Sequence, residues 1–203
     1  MVGKLILEDG KEYLGESFGA LTECSGEVVF NTGMAGYVES LTDPSYFGQI
    51  LVLTYPLVGN YGVPSKESFE SKEIQIKGLI VQNYIDGFSH FEANKSLSKW
   101  LKEENIPALF GIDTRELTTK LRYQGVMLGG IELGHKNSNL YDPNKANVLP
   151  YVSVKSVKTY GSGKKHIVLI DCGAKENIIR SLLSRGVRVS VVPWDYNPIK
   201  QGL

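Results

Sequence analysis

A chain of 203 residues with 22 basic and 22 acidic side chains and 42% apolar residues has the composition of an ordinary globular protein, long enough for one sizeable core or for one domain and part of another. Its apolar runs, such as Gln49 to Tyr55, fall far short of the ~20 residues that cross a bilayer, and a start carrying Glu8, Asp9 and Glu12 is no secretion signal, so a soluble, cytoplasmic protein with no membrane partner is expected. Met1 to His135 holds 11 basic and 18 acidic residues and Lys136 to Leu203 holds 11 and 4, but the cations of the second half are spread through a linker and a helix without interleaved stacking aromatics, so no nucleic-acid partner is expected.

Lys4 to Gly19 reads as a hairpin, with Leu5 and Leu7 alternating inward and an Asp9-Gly10 pair suited to positive φ. Glu27 to Asn31 and Gln49 to Tyr55 are strands, separated by a Gly- and Pro-punctuated stretch, Thr32 to Gly48, that holds one helical turn and an exposed loop. Gly78 to Tyr84 is another strand. Ser96 to Asn105 puts Leu97, Trp100 and Leu101 on one helical face and ends before Pro107. Asp113 caps the next helix, with Glu116 placed to close a capping box, Leu117 and Leu121 as the apolar stripe and Gly125 as the stop. Val126 to Leu133 returns as a strand. The first domain, 1–150, is therefore mixed α and β, with no simple alternation of strand and helix.

A linker is expected over 151–165, ending in the Gly, Ser and Lys run Tyr160 to Lys165. Beyond it, His166 to Asp171 is an apolar strand, Ala174 to Ser184 a helix with Ile178, Ile179, Leu182 and Leu183 inward, and Val187 to Pro193 a second apolar strand. This is one βαβ unit. Two strands and one helix cannot cover each other, so 166–203 is expected to be an incomplete domain. Self-association, or mobility of the βαβ segment, is the expected consequence of the surplus apolar surface.

Cys172 follows a strand and precedes a helix, where a thiol is readily activated, yet a nucleophile needs a base within hydrogen-bond reach. His166 sits at the far end of the same strand, and His90 and His135 lie in or near the first domain. Buried structural thiols are the expectation for both Cys24 and Cys172, with neither a disulfide nor a metal site. Gly161-Ser-Gly-Lys-Lys165 superficially resembles a phosphate loop but precedes a strand instead of opening a helix, and a flexible linker is the better reading. The most unusual segment is Asn31-Thr-Gly-Met-Ala-Gly-Tyr-Val-Glu-Ser-Leu-Thr-Asp-Pro-Ser-Tyr46. There Gly33 and Gly36 permit close backbone approach, Pro44 fixes a turn, and Ser45 presents a hydroxyl between rigid neighbours.

That segment, with Leu53-Thr-Tyr-Pro-Leu-Val-Gly-Asn-Tyr-Gly-Val-Pro64, Asp113-Thr-Arg-Glu-Leu-Thr118 and Asp171-Cys-Gly-Ala-Lys-Glu-Asn177, resembles the small, glutamine-hydrolysing subunit of carbamoyl-phosphate synthetase over essentially the whole chain. The resemblance implies an α/β architecture, in which a mixed, swivelling β/β/α N-terminal domain is followed by the first βαβ unit of a class I glutamine amidotransferase domain. It implies that the complete subunit hydrolyses L-glutamine through a Cys, His, Glu triad and passes ammonia to a large subunit. That partner makes carbamoyl phosphate from bicarbonate and ATP for arginine and pyrimidine synthesis. ATP and Mg belong to the large subunit, and no cofactor is expected in this chain. The family nucleophile lies in a Gly-x-Cys-x-Gly elbow beyond Leu203, so the chain alone is expected to be inactive and Cys172 to be structural. The residue carried over is Ser45, which matches the family serine that reaches from the N-terminal domain to bound glutamine. A non-catalytic interaction module is the competing reading, opposed by the exposed apolar sheet edge that such a module would retain.

Overall fold

The computed structural model describes residues 1–134, 139–200 and 202, and the chain divides into two compact units, Met1–Ala146 and Asn147–Leu203. In the first unit, β1 (Val2–Leu7) and β2 (Glu12–Ser17) pair antiparallel around Asp9-Gly10, with Gly10 at φ 84°. Then come β3 (Cys24–Asn31), α1 (Tyr37–Thr42), β4 (Gln49–Leu53), β5 (Leu57–Val58), β6 (Gly78–Ile80), β7 (Asn83–Tyr84), α2 (Leu97–Glu103), β8 (Ala108–Phe110), α3 (Thr114–Gln124) and β9 (Met127–Glu132). Seven of these strands close a barrel in the order β1-β2-β8-β6-β4-β3-β9.

Neighbours β3, β4, β6 and β8 are parallel, and the remaining pairs in the barrel are antiparallel. Period-2 alternation divides the side chains between two cores. Leu5, Tyr13, Val28, Ile50, Val52, Ile80, Leu109 and Ile131 belong to one buried cluster drawn from every barrel strand, which is the barrel interior, and Leu117 and Leu121 of α3 close it. Leu51, Leu53, Leu79 and Ala108 point the other way, into a second cluster with Val38 and Leu41 of α1 and Leu97, Trp100 and Leu101 of α2. The parallel strands are thus apolar on both faces because both are covered. Asp113 caps α3 as expected, its Oδ1 accepting from the Glu116 amide at 2.9 Å. Ser96 does the same for α2 through the Lys99 amide.

The structure revises the expected strands at several points. Gly78 to Tyr84 is two strands: β6 stays in the barrel, and β7 leaves it to pair with β5. Gln49 to Tyr55 stops at Leu53. β8, only three residues long, follows Pro107 where no strand was expected, and its pairing with β2 and β6 is what closes the barrel.

In the second unit α4 (Leu149–Val152) precedes β10 (Lys158–Tyr160), β11 (His166–Asp171), α5 (Glu176–Leu183) and β12 (Arg188–Pro193). β11 and β12 pair in parallel, from His166 with Arg188 to Asp171 with Pro193. Residues 158–160, read from sequence as linker, are a strand antiparallel to β12, which makes β12 the central strand of three. Ile179 of α5 packs on Val189 and Val191, with Leu182 and Leu183 at the margin. Ile178, expected inward, is 45% exposed, as are Ile170 of edge strand β11 at 46% and Ile167 at 36%. No helix among the described residues is long and apolar enough to cross a membrane.

Candidate functional site

The segment between β3 and β4 is organised by Asn31, the last residue of β3. Its Oδ1 accepts from the Gly33 amide at 2.7 Å, an Asx turn that reverses the chain. Its Nδ2 donates to Ser40 Oγ at 3.0 Å on α1 and to Tyr46 Oη at 3.2 Å beyond it, so one amide side chain joins both ends of the loop. Gly36 begins α1 at φ 77°, a conformation that L side chains rarely adopt. Its requirement for glycine is therefore conformational, since the nearest atom to an added Cβ lies at 3.5 Å.

Tyrosines hold the opposite wall. Tyr61 Oη accepts from the Gly36 amide at 3.1 Å, and the Tyr61 ring stacks on Tyr37 with centroids 4.4 Å apart. Tyr37 donates its hydroxyl to the Gly62 carbonyl. Burial pushes the Tyr37 and Tyr61 phenols above their usual range, so both stay protonated. Asn31, Met34, Tyr37, Ser40, Tyr55 and Tyr61 together line a small cleft.

Ser45 lies in a 3-10 turn, Pro44–Tyr46, immediately after α1. Pro44 supplies the fixed φ of a first helical position, and the buried Asp43 caps the turn, its Oδ1 accepting from the Ser45 amide at 2.9 Å. On the inner side, Thr42 Oγ1 donates to the Val38 carbonyl and accepts from the Glu70 amide, both at 2.9 Å. Gly48, at φ 81°, ends the turn beneath Tyr141 and Pro143. The backbone on both sides of Ser45 is thus pinned while Ser45 itself is exposed, and its hydroxyl enters none of these bonds. The arrangement can present a donor to a ligand with little ordering cost.

Within the first unit, among the described residues, no hydrogen bond brings the other sequence candidates, Cys24 and His90, to Ser45. His90 stacks on Phe91 at 4.7 Å and meets Tyr61 edge-on at 6.5 Å. His135 lies outside the described residues. Cys24 is held in the barrel wall, where burial raises its thiol to about 12. Cys172 is exposed, contrary to the buried thiol expected, because it sits in the turn that leaves edge strand β11. The ordered group there is Asp171, whose carboxylate accepts from the amides of Val154, Gly173 and Ala174 at 2.7, 3.0 and 2.8 Å. His166 begins the same strand, about 16 Å away along six residues at strand rise, and its Nε2 is hydrogen-bonded to Ser190 Oγ at 2.8 Å. No group of three or more His, Cys, Asp or Glu among the described residues is placed to hold a metal ion.

A family model, the carbamoyl-phosphate synthase small chain, CPSase domain, matches residues 5–131, the barrel and the Ser45 loop together. The chain belongs to that family. It is 47% identical to the arginine-specific small chain of carbamoyl phosphate synthase from Neurospora crassa, over 94% of this chain and 45% of that protein. It is 48% identical to the mitochondrial carbamoyl-phosphate synthase [ammonia] of Aquarana catesbeiana, over 95% of this chain and 14% of the relative. The multifunctional protein CAD of Squalus acanthias is 49% identical over 95% of this chain and 9% of its own length. The chain thus spans less than half the length of each of these curated relatives.

Proposed function

We infer that this chain is part of the glutamine-hydrolysing small subunit of a carbamoyl-phosphate synthase, and that Ser45 hydrogen-bonds the amino-acid end of the glutamine. The observation that carries the reading is the exposed Ser45 hydroxyl on a turn capped by Asp43 and tied through Tyr46 to Asn31, in a chain whose family match spans that turn. Because the backbone is fixed before substrate arrives, the hydroxyl orients the ligand without an induced rearrangement. Its contact lies away from the amide being cleaved, so it acts in binding more than in bond breaking. Cys172 has no role in the chemistry on this reading. The nucleophile, its base and the remaining glutamine contacts come from further sequence of the complete subunit. Ammonia is then passed to a large subunit, where ATP and Mg are bound. Relatives named for arginine-specific and multifunctional enzymes support a role in carbamoyl phosphate supply without choosing between arginine and pyrimidine synthesis.

Four of the relatives carry ammonia in their names, which makes nitrogen source the decisive assay. The complete small subunit, assembled with its large subunit, should make carbamoyl phosphate from glutamine at low ammonium. Activity with ammonium alone, and none with glutamine, would assign this chain to an ammonia-dependent synthase instead.

A further inference from the structure

The Gly161-Ser-Gly-Lys-Lys165 run, unused by the function above, is not a free linker. A methyl group added at Gly163 would lie 2.0 Å from the Gly186 carbonyl oxygen, and one at Gly161 would lie 2.9 Å from the carbonyl of Val187. The Arg188 amide donates to the Lys165 carbonyl at 2.8 Å. Two loops, the one entering β11 and the one joining α5 to β12, therefore touch backbone to backbone, and only glycine allows that approach. Lys164 and Lys165 project from the first, Arg185 and Arg188 from the second, and all four residues are exposed. No ion pair joins any of them to a carboxylate among the described residues, and the one polar contact of their side chains there is Arg185 Nη1 on the Ser181 carbonyl of α5.

Topology explains why these charges stand alone. Asn147–Leu203 contains nine basic and three acidic residues, and the three acids, Asp171, Glu176 and Asp195, end β11, begin α5 and follow β12. All three fall at the opposite end of the parallel strands from the paired loops. The sheet is thus charge-polarised along its strands, with a rigid cluster of unopposed cations at one end.

We propose that this paired-loop cluster is a docking surface for an acidic segment of a partner protein. Nucleic acid fits less well. The cluster is compact, and among the described residues no exposed aromatic ring is interleaved with it for base stacking. Charge steering at such a surface acts mainly on encounter and is weakened by salt.

The test is binding of a fluorescent oligoglutamate peptide to the 203-residue chain at low ionic strength, with a DNA duplex as the rival probe. The variant K164Q/K165Q/R185Q/R188Q is compared with K66Q/K72Q/K102Q/R122Q, which removes as many exposed cations from the first unit. Removing the four surface charges should weaken the peptide about tenfold or more in the first variant and less than about twofold in the second. Equal losses in both variants would mean that only net charge matters, and would overturn the proposal. So would failure of the wild-type chain to bind the peptide, or tighter binding of the duplex.

Discussion

Replacing Gly26 by alanine tests whether the barrel fixes the loop that carries Ser45. Gly26 lies on β3, where an added Cβ would fall 2.3 Å from the carbonyl oxygen of Gly48, the residue between the Ser45 turn and β4. The obstructing atom is backbone, so no rotamer change relieves the clash, and the β3–β4 register from Glu27 with Gln49 to Asn31 with Leu53 has to shift. Overpacking a well-filled site costs typically 1 to 3 kcal/mol, and a backbone obstruction belongs near the upper end, about 3 kcal/mol. Gly130 provides the control. It sits on β9, which flanks β3 on the other side, opposite Ser25, and its added Cβ meets nothing closer than 3.4 Å. Gly130→Ala should therefore be neutral, or stabilise by up to ~1 kcal/mol through the unfolded chain. For a unit of this size 1 kcal/mol moves the melting point by about 4 °C, so calorimetry should show Gly26→Ala roughly 10 °C below wild type and Gly130→Ala within about 4 °C of it. Equal melting points for the two variants would refute the argument that β3 and the turn are in backbone contact.

The Thr114 and Thr118 hydroxyls on the inner face of α3 are buried with no hydrogen-bond partner among the described residues, so Thr114→Val and Thr118→Val should each raise the denaturant midpoint, by about 1 kcal/mol in stability; a clear loss would reveal a partner. Asp113→Ala removes the α3 cap and should cost about 1 kcal/mol by the same measurement. Alkylation at pH 8 followed by mass spectrometry should label the exposed Cys172 quickly and the half-buried barrel cysteine, Cys24, whose thiol burial raises, much more slowly, and equal rates would contradict the packing of Cys24. Because the folded Cys24 thiol is raised from 9.0 to about 12, the unfolded chain loses its proton first as the pH climbs. The stability that this thiol contributes is therefore complete below pH 9 and lost between pH 9 and about 12, so Cys24→Ser should flatten the alkaline fall in melting temperature.

The elements most legible in sequence were those with local causes. Asp9-Gly10 set the first hairpin, Asp113 the start of α3, and the apolar runs of β4 and β12 their burial. Barrel closure was not legible, because it depends on pairs such as Glu16 with Phe110 and Ser17 with Leu109, and a three-residue strand is too short to display a period. β10 was hidden for a related reason: Lys158-Thr-Tyr160 carries no apolar run, and it becomes a strand only by pairing with β12. At the candidate site the turn chemistry of Asp43, Pro44 and Ser45 could be read directly. The part played by Asn31 could not, since its bonds to Ser40 and Tyr46 exist only once the loop is closed. Ile178 and Cys172 were expected inside because strand and helix patterns report a potential core face, and coverage of that face depends on neighbours that local pattern does not specify.

The central claim, that Ser45 binds the substrate, is tested most directly by the kinetics of glutamine hydrolysis with Ser45→Ala in the complete subunit. A lost hydrogen bond to a charged group costs about 1.5 to 3 kcal/mol, or roughly ten- to a hundred-fold in affinity, less where water takes the hydroxyl's place. The expected result is a KM raised within that range with kcat at saturating glutamine nearly intact, and Ser45→Cys falling between alanine and wild type. An unchanged KM, or a large loss of kcat at saturating glutamine, would show that Ser45 is not a ground-state binding residue, and the loop from Asn31 to Tyr46 would then be a structural turn alone.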